Sequence, residues 1–175
     1  MTYLFVGLGN PGEEYENTRH NAGFAAVDLL LEKLGATKIK TKLLASVARA
    51  KTESGEIFVM KPMTFMNESG NAVAPFVKTK KIPLKNTVVV HDDLDLPLGE
   101  IRVSKNASSA GHNGVQSVID RLGSKDFTRI RLGIGPRPSK IPADKFVLGR
   151  FTNEEKTKLP DILDRAAGAC LAEIK

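Results

Sequence analysis

The sequence predicts an α/β protein, a single domain over residues 1–175 built on a twisted, mixed and mainly parallel β-sheet with helices on both faces. Three observations point there. Short β-branched and aromatic runs alternate with longer stretches of helical periodicity, which implies crossover connections and a covered parallel sheet. The run Thr87-Val88-Val89-Val90 shows no polar alternation, as expected of a strand buried on both faces. The length of 175 residues suits one domain with a real core, and such a sheet tolerates an antiparallel edge.

The elements follow in order. Tyr3–Gly7 is an apolar strand that runs into the turn Gly7-Leu8-Gly9-Asn10-Pro11-Gly12. Helical periodicity starts near Ala22, continues through Leu29, Leu30 and Leu34, and stops at Gly35. Strands are expected at Ala45–Lys51, Ile57–Lys61, Thr87–His91, Glu100–Ser104 and Thr128–Ile134. Further helices are expected at Asn67–Lys78, Gly114–Leu122 and Asn153–Ile174. In Gly114–Leu122, Val115, Val118, Ile119 and Leu122 form one apolar stripe that Gly123 closes. The helix from Asn153 opens with a capping box, Thr152 and Glu155. Pro75 and Pro160 fall inside helices, where each is expected to kink or break the helix at a cost of about 3 kcal/mol.

A single cysteine, Cys170, excludes a disulfide framework and favours a reducing compartment. Its place beside Leu171 and Ile174 suits core packing rather than catalysis. No segment reads as a signal peptide, and no apolar run reaches membrane-spanning length. The net charge of +6 favours an anionic partner. Lys38, Lys40, Lys42, Arg49 and Lys51 form one acid-free window, and Lys78, Lys80, Lys81 and Lys85 form another. Either reads as a solvated surface by itself. With Arg102, Lys105, Arg129 and Arg131 they point to a polyanion larger than a nucleotide.

The chemistry-bearing motifs cluster at strand ends. Gly7-x-Gly9-x-x-Gly12 matches the dinucleotide-binding fingerprint and follows a strand. Yet Pro11 and Glu13, Glu14 and Glu16 stand where a pyrophosphate would lie, and the helix opens too late for it. Tyr15-Glu16-Asn17-Thr18-Arg19-His20-Asn21 then delivers a histidine at the mouth of the helix. The central strand ends in His91-Asp92-Asp93-Leu94-Asp95-Leu96-Pro97, where α/β sheets place their sites. A carboxylate there could accept His20 Nδ1–H and leave Nε2 free to take a proton from water. The same acids also read as turn residues or as a metal site, His91-Asp92 being similar to the metal-binding pair of HD phosphohydrolases. Asn10, Asn67 and Asn113 fall at strand-to-helix junctions, as helix caps or as amides that converge on one cleft. One histidine, one carboxylate and several amides suit attack of water on an ester.

Together these residues strongly resemble the bacterial-type peptidyl-tRNA hydrolases. The likeness runs from residue 3 to about residue 155. It rests on Gly7–Gly12, Tyr15 with Thr18-Arg19-His20-Asn21-x-Gly23, Lys61-Pro62-x-Thr64-Phe65-Met66-Asn67, His91–Pro97, Gly111-His112-Asn113-Gly114 and Arg129–Gly135. The resemblance implies a cytoplasmic monomer, without metal or cofactor, that cleaves the ester between a peptide and the terminal ribose of tRNA. Its partner is then peptidyl-tRNA, held at the acceptor arm and 3′ end. It implies His20 as base, Asp92 as its orienting carboxylate and Asn10 as the residue that recognises blocked substrates. Tyr15, Phe65, Met66, Asn67, His112 and Asn113 are the implied contacts to the peptidyl and 3′-terminal part. Arg102, Lys105, Arg129 and Arg131 are the implied phosphate contacts. The chain departs from the family at Ser104, a frequent basic position, at Ala107 and Ala110, frequent glycines, at Pro75, and in stopping at Lys175. A nicotinamide-dependent oxidoreductase and a non-catalytic tRNA-binding module are the alternatives.

Overall fold

Seven strands form one sheet in the computed structural model, which describes Met1–Lys175. They are β1 (Thr2–Gly7), β2 (Thr37–Ile39), β3 (Ala45–Thr52), β4 (Gly55–Pro62), β5 (Thr87–Pro97), β6 (Ile101–Lys105) and β7 (Thr128–Gly135). Their order is β2-β3-β4-β1-β5-β7-β6. The central four, β4, β1, β5 and β7, are parallel, while β2 and β3 on one side and β6 on the other pair antiparallel. The expected mainly parallel sheet is therefore present, with antiparallel pairing at both margins.

Side-chain alternation divides the core in two. Tyr3 and Phe5 of β1, Val88 and Val90 of β5, and Ile130 and Leu132 of β7 pack under α1 (Ala22–Leu34) and α5 (Asn153–Ala172). Leu4 and Val6 of β1 and Val89 of β5 pack under α2 (Gly70–Lys80) and α3 (Asn113–Leu122). A fifth helix, α4 (Ala143–Leu148), lies beside the turn that carries His20. Full burial of a side chain such as Phe5 or Leu30 contributes about 1.5–3 kcal/mol.

The glycine fingerprint is a packing device. A Cβ on Gly7 would stand 2.4 Å from the Gly23 carbonyl oxygen, and one on Gly23 would stand 2.4 Å from that of Val90. The start of α1 thus approaches β1 and β5 so closely that neither position admits a side chain. Rather than cradling a phosphate, these glycines let the helix carrying the His20 turn sit down on the strand ends.

Several expectations are corrected. Pro75 and Pro160 lie inside α2 and α5 without breaking them, since both helices run on past the ring. Both rings are exposed, so the carbonyls deprived of a partner can turn to water instead. The acidic segment after Val90 is not a loop: β5 continues to Pro97 and pairs Asp92 and Asp93 with Leu132 and Gly133 of β7. The short strand β2 and helix α4 lie outside the expected elements, and α5 ends at Ala172 rather than Ile174. The Thr152–Glu155 capping box and the Gly35 and Gly123 helix ends form as expected.

Candidate active site

The site forms at the carboxyl ends of β1 and β5, where the strand order reverses: β4 lies on one side of β1 and β5 on the other. Along β5, Val88, Val90 and Asp92 share the face under α1, so Asp92 meets the 3-10 turn Arg19–Asn21 that leads into that helix. His20 Nδ1 lies 3.0 and 2.9 Å from the two Asp92 carboxylate oxygens. From the other face, His112 Nε2 lies 2.9 Å from Asp92 Oδ1. His112 is the N-cap of α3, and its Nδ1 accepts the Val115 N–H at 3.2 Å. That bond fixes the tautomer of the neutral ring: Nδ1 offers a lone pair, so Nε2 carries the proton and donates to Asp92.

Asp92 accordingly receives N–H donors from two imidazoles. Burial by itself would raise its pKa. The neighbouring His20 and His112, by charge and by hydrogen bond, more than offset this and hold it well below the ordinary carboxylate range. His91 points to the opposite face of β5, where its ring packs edge-on against His112 with centroids 4.7 Å apart. Its Nδ1–H donates to the Asp92 carbonyl at 2.7 Å, and its buried Nε2 has no partner. Burial, then the proximity of His112, lowers the His91 pKa well below the usual value. His91 is therefore a neutral wedge beneath the site. His91 and Asp92 face opposite ways, which removes the metal pair suggested by their adjacency.

The glycine-rich turn is tied to the histidine turn by side chain. Asn21 accepts the Asn10 N–H and donates to the Asn10 carbonyl, both at 2.9 Å. Asn10 Oδ1 in turn accepts the Met66 N–H at 2.8 Å, leaving the Asn10 Nδ2 donors free of intramolecular partners. Met66 is buried (5% exposed), and a Cβ on Gly114 would meet its sulfur at 2.4 Å. It supports the site from below instead of lining it. Asn67 and Asn113 are both exposed, and neither caps a helix; the caps are Ser69 for α2 and His112 for α3. Their amides remain available to a ligand. Phe65 is 55% exposed and meets Tyr15 edge to face, with ring centroids 6.4 Å apart.

A cleft of about 590 Å³ opens over this assembly. Its lining includes His20, Asp92, His112 and Asn113, with Asp144 and Val147 of α4 on the facing wall. His20 lines this cleft, and its hydrogen bonds within the chain use Nδ1 only, which leaves Nε2 free. His20, Asp92 and His112 also form a group whose metal-ligating atoms lie within 4.8 Å of one another. Their nitrogen–oxygen separations of 2.9 Å are those of N–H···O bonds, and the remaining His112 nitrogen is occupied by the α3 cap.

The basic residues divide. Arg131 Nε donates to Asp93 Oδ2 at 2.7 Å and its guanidinium reaches Ser104 Oγ at 3.4 Å, placing it at the margin of the site. Arg102 pairs with Arg131 across β6 and β7, is exposed, and contacts Glu100. Lys105 is elsewhere. It pairs in register with Thr128, at the start of β7 and about 13 Å below the level of Asp92, and forms an ion pair with Glu173 at 3.0 Å. Arg129 is a correction, because it is 2% exposed and cannot grip a phosphate from the surface. Cys170 is fully buried, and burial pushes its thiol up to about 12, which leaves no nucleophile there. Ala110, at a position often glycine in the family resembled, adopts φ 49°, a left-handed conformation that favours glycine.

Sequence reasoning missed the double hold on Asp92 by His20 and His112. Histidine is not a preferred N-cap, so nothing local marks His112 as one.

Comparison with known proteins places these observations. The family model described as peptidyl-tRNA hydrolase matches residues 4–175. The peptidyl-tRNA hydrolase of Bdellovibrio bacteriovorus is 46% identical over 168 residues, covering 95% of this chain and 90% of that protein. That of Geobacillus kaustophilus is 44% identical over 172 residues, covering 98% and 92%. The crystal structure of peptidyl-tRNA hydrolase from Acinetobacter baumannii superposes with a TM-score of 0.91 at 35% identity, covering 99% of this chain and 88% of that one.

Proposed function

This chain belongs to the peptidyl-tRNA hydrolase family, and from that premise we propose that it hydrolyses the ester joining a peptide to the 3′-terminal ribose of tRNA, with His20 activating the water. The observation that carries the reading is the His20–Asp92 pair. Nδ1 is engaged by a carboxylate held ionised, while Nε2 faces the cleft without a partner. Nε2 takes a proton as the water oxygen bonds to the ester carbonyl carbon, and the carbonyl electron pair moves onto its oxygen. When the tetrahedral intermediate collapses, the ribose oxygen leaves with the carbon–oxygen pair and receives the proton back from His20. Asp92 compensates the imidazolium between these steps. The products are the peptide carboxylic acid and tRNA with a free ribose hydroxyl.

The surrounding amides take the substrate roles. Asn10 Nδ2, held by the Asn21 and Met66 bonds, donates to the carbonyl region of the substrate next to the ester and favours N-blocked substrates. Asn67 and Asn113 bracket the ester, with Asn113 at the positive end of the α3 dipole, where a developing oxyanion is stabilised. Tyr15 and Phe65 present an aromatic surface to the peptide or terminal base. Arg102, Arg131 and the two lysine windows meet the acceptor arm. The reaction uses no metal or cofactor, and the protein acts as a monomer in the cytoplasm. No helix is long and apolar enough to cross a membrane.

A turnover assay with N-blocked aminoacyl-tRNA tests the reading. Release of the blocked amino acid in molar excess over protein is expected. Tight tRNA binding without release would make this a non-catalytic tRNA-binding module.

A further inference from the structure

We infer that Arg19 is a positioning residue that holds the His20 turn against α4, so that the base and the facing wall of the cleft are set by one buried guanidinium. The inference rests on His20 being the base. Arg19 precedes His20 and is 7% exposed. Its guanidinium donates to Glu155 Oε2 at 2.7 Å and to the Arg150 carbonyl at 2.8 Å. It lies 4.5 Å from the centroid of Phe146 and 5.5 Å from that of Phe151. The backbone reinforces this seam, because the Arg19 N–H donates to the Gly149 carbonyl at 2.9 Å and Thr18 bridges Arg150.

One side chain therefore gathers the end of α4, the connector after it and the first turn of α5 onto the turn that carries the base. Glu155 is shared: the same Oε2 that receives Arg19 also accepts the Thr152 N–H that opens α5, at 2.6 Å. Phe146 is seated on the guanidinium, and its neighbour Val147 lines the cleft with Ala143 and Asp144. A shift of Phe146 moves Val147, and a shift of Arg19 moves His20. On the other flank Asn21 locks His20 to the Asn10 turn. His20 is thus clamped from both neighbours, and only the Arg19 clamp reaches the far wall.

Stability alone does not account for an arginine here. Its Nε is buried without a partner, an unfavourable arrangement that an apolar chain of similar length would avoid. Arg19→Met removes one partner only and leaves the Glu155 carboxylate and the Arg150 carbonyl unpaired, which lowers stability whichever role the arginine has. The two roles differ instead in turnover: an arginine kept for geometry lowers kcat in the protein that stays folded, and one kept for stability alone does not.

The test compares wild type, Arg19→Met, Arg19→Lys, Phe146→Leu and His20→Ala. It uses a short N-blocked aminoacyl ester of a nucleoside, so that tRNA grip plays no part. Melting temperature and the NMR signal of the His20 Nδ1–H are followed alongside. Arg19→Met is expected to stay folded, to lose about 10- to 100-fold in kcat with KM changed less than about threefold, and to broaden or shift the Nδ1–H signal. Arg19→Lys keeps the charge but not the fork and should recover only part of the loss. Phe146→Leu should move kcat in the same direction by less. If Arg19→Met and Phe146→Leu both turn over within about threefold of wild type while His20→Ala is inactive, the positioning role is wrong and the base assignment stands. If His20→Ala itself turns over, the underlying reading fails instead. Should Arg19→Met fail to fold, Arg19→Lys and Phe146→Leu decide by the same criterion.

Discussion

His112 donates Nε2–H to Asp92 Oδ1 at 2.9 Å while its Nδ1 is held as the acceptor that caps α3. The helix cap and the carboxylate that faces His20 are thereby joined through one ring. Asp92 is oriented by His112 whatever the protonation of His20, because the Val115 N–H keeps the His112 proton on the nitrogen that faces Asp92.

Asp92→Asn should lower kcat by about 10²–10⁴-fold with little loss of fold, since the neutral amide neither compensates the imidazolium nor fixes the Nδ1–H tautomer. His112→Gln, which keeps an N–H donor near Asp92, should lose far less than His112→Ala, which also removes the α3 cap and about 1 kcal/mol of stability. Steady-state kinetics and urea titrations on the three variants check both statements. Equal activity of His112→Gln and His112→Ala would show that Asp92 does not depend on this donor.

His20→Ala should abolish ester cleavage while leaving fold and tRNA affinity nearly intact, because the ring lies at the cleft and carries none of the core. General-base catalysis is typically worth about 10²–10⁴-fold. Retention of more than about a tenth of wild-type turnover would be too much for that role.

Turnover should survive excess EDTA. The convergent nitrogen and oxygen atoms of His20, Asp92 and His112 are engaged with one another through N–H···O bonds at 2.9 Å. Activity lost to the chelator and restored by zinc or magnesium would assign the group of three to a cation.

If the lysine windows meet phosphates, log affinity for tRNA substrates should fall linearly with log salt, and a nucleoside ester should lack most of that slope. Charge reversal at Lys78, Lys80 and Lys81, around the C-terminal end of α2, should weaken tRNA substrates and hardly affect the small ester. A tRNA affinity indifferent to salt would reduce these windows to surface solvation.

His91 makes stability fall on acidification. Its folded pKa is depressed below the ordinary 6.5, so below that pH the unfolded chain binds a proton that the folded protein refuses. Stability is therefore unaffected above about pH 6.5 and is lost below it, with a slope approaching 1.4 kcal/mol per pH unit. His91→Asn keeps an N–H donor near the Asp92 carbonyl and removes the titration. Urea titrations at pH 7.5, 6.5 and 5.5 should show a shallower loss in the variant. Parallel losses would mean that His91 is protonated in the folded state as well.

Much of the architecture is readable because its causes are local. Gly35 and Gly123 end helices in left-handed conformations, and Thr152 with Glu155 opens α5. What escapes sequence reading lacks a local cause. Thr37–Ile39 becomes a strand only because Val47–Arg49 offers it an edge, and Ala143–Leu148 is too short for periodicity to register. Asp92 and Asp93 are poor strand residues, yet pairing with Leu132 and Gly133 overrides that preference.

The sequence by itself determined the order of strands and helices, the burial of Thr87–Val90 and the resemblance that singled out His20, Asp92 and the asparagines. The first two follow from composition and spacing within a few residues, and the third from several motifs that occur in order along the chain. Only the tertiary structure decided that His20 and His112 share one carboxylate, that His91 faces away from it, that Arg129 is buried while Arg131 stands at the margin, and that Arg19 clamps the base to α4. The first three depend on strand register and on which face of a strand a residue takes, and the last on packing between a turn and two helices. Register is set by distant partners such as Leu4 and Thr87, and the clamp by Arg19 and Glu155, 136 residues apart, so neither leaves a mark in the residues alongside.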